Sequence, residues 1–225
     1  MFVDEFKKFK PLYHFTNFES AVRILASKKF RYSKMDNVND PNESFRQIYC
    51  MLNNVSPDSY EKIGAIIKEL EHYQQISFSC DSALFRGFNL LNMWGNYADK
   101  GYGVCLVFDE DELIKGLQKK CFGNIEYINN YDPSISFMAN SLDDVVDYVS
   151  NNIKSIFFKK SMEWQYEQEF RIVQRFDSTG DNYLDLNKCW DNVLKCVIFI
   201  NANDVKKDEP VFGSSYYKVI SKLIP

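Results

Sequence analysis

Histidine is the scarcest chemistry-bearing residue in the chain, with only His14 and His72 among 225 residues. Cysteine is present six times, but Cys50, Cys80, Cys105, Cys121, Cys189 and Cys196 are scattered, and none forms a C-x-x-C pair. Two histidines and no paired cysteines leave no typical zinc pattern, so no metal is expected and the cysteines are expected to be reduced thiols. Cationic excess is also missing. Lys and Arg number 27 against 31 Asp and Glu, giving a net charge of −4, so no chain-wide attraction to nucleic acid or anionic membrane is expected. A local basic groove remains open. The longest apolar runs, such as "VLKCVIFI", are far too short to span a bilayer. The N-terminal "MFVDEFKKFK" has no apolar core of a secretory leader, so a cytoplasmic protein is expected. Glycine is down to nine residues, and there is no P-loop, no H-E-x-x-H and no G-x-S-x-G. The "GYG" before "VCLVF" lacks the third glycine and following helix of a dinucleotide fingerprint.

Aromatic residues are abundant instead: nineteen Phe and fourteen Tyr in a chain that is 45% hydrophobic. That composition supports a substantial packed core. "PLYHF" reads as a short strand, and Thr16 with Glu19 reads as a capping box opening a helix over residues 17–28. "FRYS" suggests a second short strand, and residues 43–54 and 57–73 suit helices. "QQISFSC" alternates as a strand, "FNLLNMWGNYAD" has helical spacing weakened by Gly95, and Asp109 opens another helix. "GYGVCLVF" is the clearest strand, with Val104, Leu106 and Phe108 expected in one layer and Cys105 and Val107 in the other. Residues 122–128 suggest a strand, 141–158 a long helix, and "EFRIVQRF", "NYLDL" and "KCVIFI" further strands. Helices and strands interleave without βαβ regularity, and no linker divides the chain. The expectation is one α+β domain over residues 1–225.

Several stretches concentrate polar groups within apolar text. His14 and Thr16 lie at the end of the first strand, although a lone histidine in an apolar segment is commonly structural. "NDPNE", with Asn39, Asp40 and Glu43, reads as an Asx-type turn. "MWGNYADKGYG" carries Trp94 and Tyr97 on one helical face, a spacing that also suits core. His72, in a charged helix end, reads as surface. In "EWQYEQEFRI", a strand would place Glu167, Glu169 and Arg171 on one face. Three such charges are costly unless they pair or meet a ligand, and a solvated sheet face with an ion pair is the plainer alternative.

The ordered series Y-H-F-T, N-D-P-x-E, S-F-S, M-W-x-x-Y-A-D-x-x-x-G-V and W-x-Y-E-x-E-F-R, over residues 11–175, resembles a bacterial family of unknown function. That family is similar in turn to the ADP-ribosyltransferase-like superfamily. The resemblance implies central mixed or antiparallel sheets flanked by helices, and NAD as substrate without a metal. It implies that His14 contacts the adenosine-side ribose and that Tyr97 stacks on nicotinamide. Thr16, Trp94, Asn39, Asp40 and Arg171 complete the expected NAD-binding set. Glu167 and Glu169 resemble an E-x-E pair in which the second, Glu169, is catalytic and Glu167 stands near the rim.

Cleaving the nicotinamide–ribose bond builds positive charge on the sugar, which a carboxylate near the 2′-hydroxyl stabilises. On that reading, Glu169→Gln removes charge while leaving stability nearly unchanged. His14, Tyr97 and Glu169 should converge on one concave pocket large enough for NAD, and the transferase reading would collapse if Glu169 and His14 lay on opposite faces. The acceptor, a protein or nucleic acid, is left open, and the superfamily analogy suggests a toxin or phage-defence context. A catalytically inactive module that binds a nucleotide or partner is the alternative. A metal-dependent nuclease using Asp40, Glu43 and Glu169 is a third reading, disfavoured by the absence of a basic excess.

Overall fold

The computed structural model describes residues 6–34, 59–117, 121–129, 144–178, 180–200 and 217–220. Asn39, Asp40, Glu43 and the helix expected over residues 43–54 lie outside the described residues. After a 3-10 turn at Phe6–Lys8, the chain forms β1 (Pro11–Thr16), α1 (Phe18–Ser27), β2 (Lys29–Arg31) and β3 (Ser33–Lys34). Next come α2 (Ser59–Leu70), β4 (Tyr73–Cys80), α3 (Leu91–Tyr97), β5 (Val104–Asp109), α4 (Glu110–Lys115), β6 (Cys121–Asn124) and β7 (Glu126–Ile128). The remainder comprises α5 (Asp144–Asn151), α6 (Ile153–Phe157), β8 (Lys159–Ser161), a 3-10 turn at Met162–Glu167, β9 (Glu169–Arg175), β10 (Tyr183–Asp185), α7 (Trp190–Val193), β11 (Leu194–Ile200) and β12 (Tyr217–Ile220).

The result is a mixed α/β domain on an antiparallel sheet. Its strand order is β12-β11-β5-β1-β4-β9-β6, with β3 added beside β4. β2 pairs β10, and β7 pairs β8 in parallel, in two small separate sheets. β5 pairs on both sides, with β1 and β11, and every one of its residues is buried. Val104, Leu106 and Phe108 enter a core with Leu12, Ile76, Phe78, Phe170 and α1, while Cys105 and Val107 face the opposite layer.

That opposite layer is divided. Beside β1, β5 and β11 it is apolar, built from Phe6, Tyr13, Phe15, Phe88, Met93 and Trp94. At the far end of β4 and β9, Tyr73 and Val173 pack with Leu70, Val149 and Phe157. Between these two clusters the same sheet face is polar. There the register aligns Ser79 with Glu169, Ser77 with Arg171 and Gln75 with Val173.

Local expectations are corrected at several points. Thr16 ends β1 and does not cap α1; the cap is Asn17, whose side chain accepts from the Ser20 amide, while Glu19 pairs with Arg23 instead. Asp109 does cap α4, accepting from the Asp111 and Glu112 amides. The strand expected over residues 122–128 breaks at Ile125, whose amide turns to the Glu169 carbonyl, and the next amide, Glu126, bonds Phe158. The helix expected over residues 141–158 is described as two helices, separated at Asn152. His72 is half-buried and its Nδ1 lies 2.9 Å from the Phe176 carbonyl, so it ties α2's end to the β9 end and is no surface residue. Among the described residues, Cys80, Cys105, Cys121, Cys189 and Cys196 form no disulfide. Among the described residues, no helix is long and apolar enough to cross a membrane.

Candidate active site

Glu169 and Arg171 alternate along β9 and share a face, but Glu167 does not belong to that strand. It ends the 3-10 turn, and Gln168 then adopts a left-handed conformation, φ 47°. This reversal folds the turn back over the strand, so Glu167 meets Glu169 through tertiary contact and not through strand periodicity. All three side chains are buried, Glu167 at 3%, Glu169 at 4% and Arg171 at 1% relative exposure. Glu167 is therefore no rim residue.

Lys160, on β8, supplies a fourth charge. Its Nζ lies 2.6 Å from Glu167 Oε2 and 3.3 Å from Glu169 Oε2. Arg171 grips Glu169 side-on through Nε at 2.8 Å and Nη2 at 2.9 Å, and its Nη1 donates to the Phe157 carbonyl at 2.6 Å. Tyr97, at the end of α3, donates its hydroxyl to Glu167 Oε1 at 2.5 Å. The Glu169 amide donates to Tyr127 Oη at 2.8 Å. Burial pushes the Glu169 carboxyl up, but Arg171, Lys160 and the hydrogen bonds from Arg171 and Ser77 outweigh it and hold the group well below the usual carboxylate range. Two cations and two anions cancel, and the four charges are satisfied inside the protein. The expectation that Glu169→Gln leaves stability unchanged is overturned by this arrangement, because neutralising one member leaves buried cations in excess.

A cavity of about 370 Å³ opens over this cluster. That volume falls within the range of roughly 300–1,000 Å³ usual for small-molecule sites. Glu167, Glu169, Arg171, Tyr97 and His14 all line it, with Lys160 and the polar side of β4. His14 arrives by a different route. Its register partner is Leu106, so it belongs to the sheet face opposite Tyr13, Ser79 and Glu169. β1 pairs with β4 only at Leu12 and Tyr13, and β3 only at Ser33 and Lys34. The gap between those pairings is closed by His14, whose Nδ1 stands 3.2 Å from the Ser77 carbonyl and whose ring packs edge-on against Phe30. Burial lowers its pKa to about 4, partly opposed by the Ser77 carbonyl, so the imidazole is neutral at pH 7. His14 and Glu169 thus share a cavity but come from opposite faces, which counts against any role needing them to face one another.

Trp94 and Thr16 lie apart from the cavity. Trp94 is 2% exposed, packs edge-on to Phe15 and donates Nε1–H to the Phe88 carbonyl, so it is core. Thr16 pairs with Val104 at the strand end. Sequence reasoning missed Lys160 altogether, since its partners Glu167 and Glu169 lie across the 3-10 turn and the nearer carboxylate in sequence, Glu163, is not among them. It also passed over Gln75, although the alternation in "QQISFSC" puts Gln75, Ser77 and Ser79 on one face. Among the described residues, no group of three or more His, Cys, Asp or Glu could hold a metal ion.

Fold and site together define a mixed α/β domain with a buried, charge-balanced cluster beside a small-molecule-sized cavity. Residues 93–172 match the family described as "Protein of unknown function (DUF2971)". The matched stretch carries Tyr97, Lys160, Glu167, Glu169 and Arg171. No curated protein and no solved structure matches the chain.

Proposed function

We propose that the cavity binds NAD and that Glu169 supports cleavage of its nicotinamide–ribose bond, in the manner of the ADP-ribosyltransferase-like proteins the sequence resembles. The observation that carries this reading is the meeting of Glu167, Glu169, Arg171, Tyr97 and His14 at one cavity, from segments 14 to 171 along the chain. Glu169 is held ionised by Arg171 and Lys160, and a fixed anion at the wall favours the positive charge that develops on a ribose as its C1′–N bond breaks. The bonding electrons leave with nicotinamide; an acceptor oxygen or nitrogen adds at C1′ and releases a proton. Tyr97 is half-buried with its hydroxyl tethered to Glu167, which fixes its ring for stacking on the pyridinium.

A second reading, a binding module without catalysis, is favoured by a specific observation. Both oxygens of Glu169 are already engaged by Arg171 and Lys160, so the carboxylate's charge is neutralised before any ligand arrives. Incubation with NAD labelled in the nicotinamide ring separates the two. Release of free nicotinamide above the protein-free rate supports the transferase; saturable NAD binding without release supports the module.

A further inference from the structure

Among the described residues, three buried side-chain oxygens have no hydrogen-bond partner: Gln74 Oε1, Gln75 Oε1 and Ser79 Oγ. Such atoms are costly when left unsatisfied. Gln74 belongs to the other sheet face by alternation, and its Nε2 is tied to the Gly180 carbonyl. Gln75 and Ser79 are different. They are 3% and 1% exposed, sit on the face of β4 that carries Glu169 and Arg171 in register, and both line the cavity. Ser77, between them, is used internally, hydrogen-bonded to Glu169.

The charges around these orphans cancel. Lys160 and Arg171 are matched by Glu167 and Glu169 at 2.6–3.3 Å, and His14 is neutral. A phosphate would therefore lose its hydration against a wall whose cations are already committed. A hydroxyl or amide N–H would instead donate to Gln75 Oε1, and a hydroxyl could donate to Ser79 Oγ or accept from it. Positions 75 and 79 are four residues apart on a strand, about 13 Å along the backbone.

We propose that Gln75 and Ser79 are ligand-recognition residues, and that they receive a phosphate-free, hydrogen-bond-donating group: the sugar hydroxyls and amide of a nucleoside. The proposal deepens the NAD reading by assigning the nucleoside end to the β4 floor and leaving the phosphates outside it. It does not require that NAD be cleaved.

The test is calorimetric titration of the full chain with nicotinamide riboside and, separately, with inorganic pyrophosphate. Ser79→Ala and Gln75→Met are titrated alongside, and the melting temperature of each free protein is recorded. The riboside binds saturably, and each substitution weakens it about tenfold, the loss of one hydrogen bond. Each free variant melts at or above the wild-type temperature, because an unsatisfied polar atom has been removed. The proposal is overturned if the riboside does not bind, if pyrophosphate binds more tightly than the riboside, or if both variants bind like wild type. It is overturned equally if both variants melt well below wild type, since that reveals a structural role. Riboside binding without nicotinamide release from NAD sinks the transferase reading alone and leaves this proposal standing.

Discussion

Arg171 closes on Glu169 side-on, Nε to Oε1 at 2.8 Å and Nη2 to Oε2 at 2.9 Å, with both side chains at most 4% exposed. The two residues alternate on β9, so the strand itself sets the pairing, and Lys160 completes the shell from β8. A buried pair of this kind is costly to break because the surviving partner keeps its charge without water. Glu169→Gln should therefore cost about 3–5 kcal/mol in urea unfolding. Lys160→Met should also destabilise. The double variant should cost less than the two added together by more than about 1 kcal/mol, since it removes one charge of each sign. Additive costs would show that the cluster does not act as a unit.

His14 gives the protein an acid sensitivity whose direction is fixed. Its folded pKa is lowered to about 4, against about 6.5 unfolded. Above pH 6.5 the ring is neutral in both states and contributes nothing. Between pH 6.5 and 4 the unfolded chain takes up a proton that the folded one refuses, so stability falls. Glu169, whose folded pKa is depressed, loses its own contribution only at lower pH, as the folded group protonates. From pH 7 to pH 5, wild type should lose about 2 kcal/mol more than His14→Asn. Parallel pH profiles for the two proteins would contradict a half-buried, neutral imidazole in the folded state.

Two glycines should respond in opposite ways to alanine. A Cβ at Gly103 would meet the Thr16 carbonyl oxygen at 2.3 Å and Ala98 backbone atoms at 2.8 and 2.9 Å, so the strand entering β5 cannot accept it. Gly103→Ala should cost more than about 2 kcal/mol by thermal melting. A Cβ at Gly95, exposed on α3, meets nothing within 4 Å. Gly95→Ala should stabilise by about 0.5–1 kcal/mol.

β5, α1 and β9 were readable because each carries its burial pattern within its own residues. Val104 to Phe108 is apolar at every position, the mark of a strand covered on both sides. The site was legible only where its chemistry followed a period. Glu169 and Arg171 obey the two-residue repeat of a strand, so their shared face could be read directly. Glu167 was placed beside them for the wrong reason, because the left-handed Gln168 is invisible to periodicity in a residue that is not glycine. Lys160 was missed because its partners lie across the 3-10 turn, a tertiary contact with no local spacing. His14 lines the cavity, but its face depends on a gap between β1 and β3 that only the sheet register reveals.

The most direct measurement is the rate of nicotinamide release from ring-labelled NAD by the wild-type protein, compared with Glu167→Gln and with the stability-compensated Glu169→Gln, Lys160→Met double variant. Release should exceed the protein-free rate, with a loss on the order of a hundredfold in the double variant and a smaller loss in Glu167→Gln. Release that survives in the double variant, or no release and no NAD binding by wild type, would contradict the transferase reading.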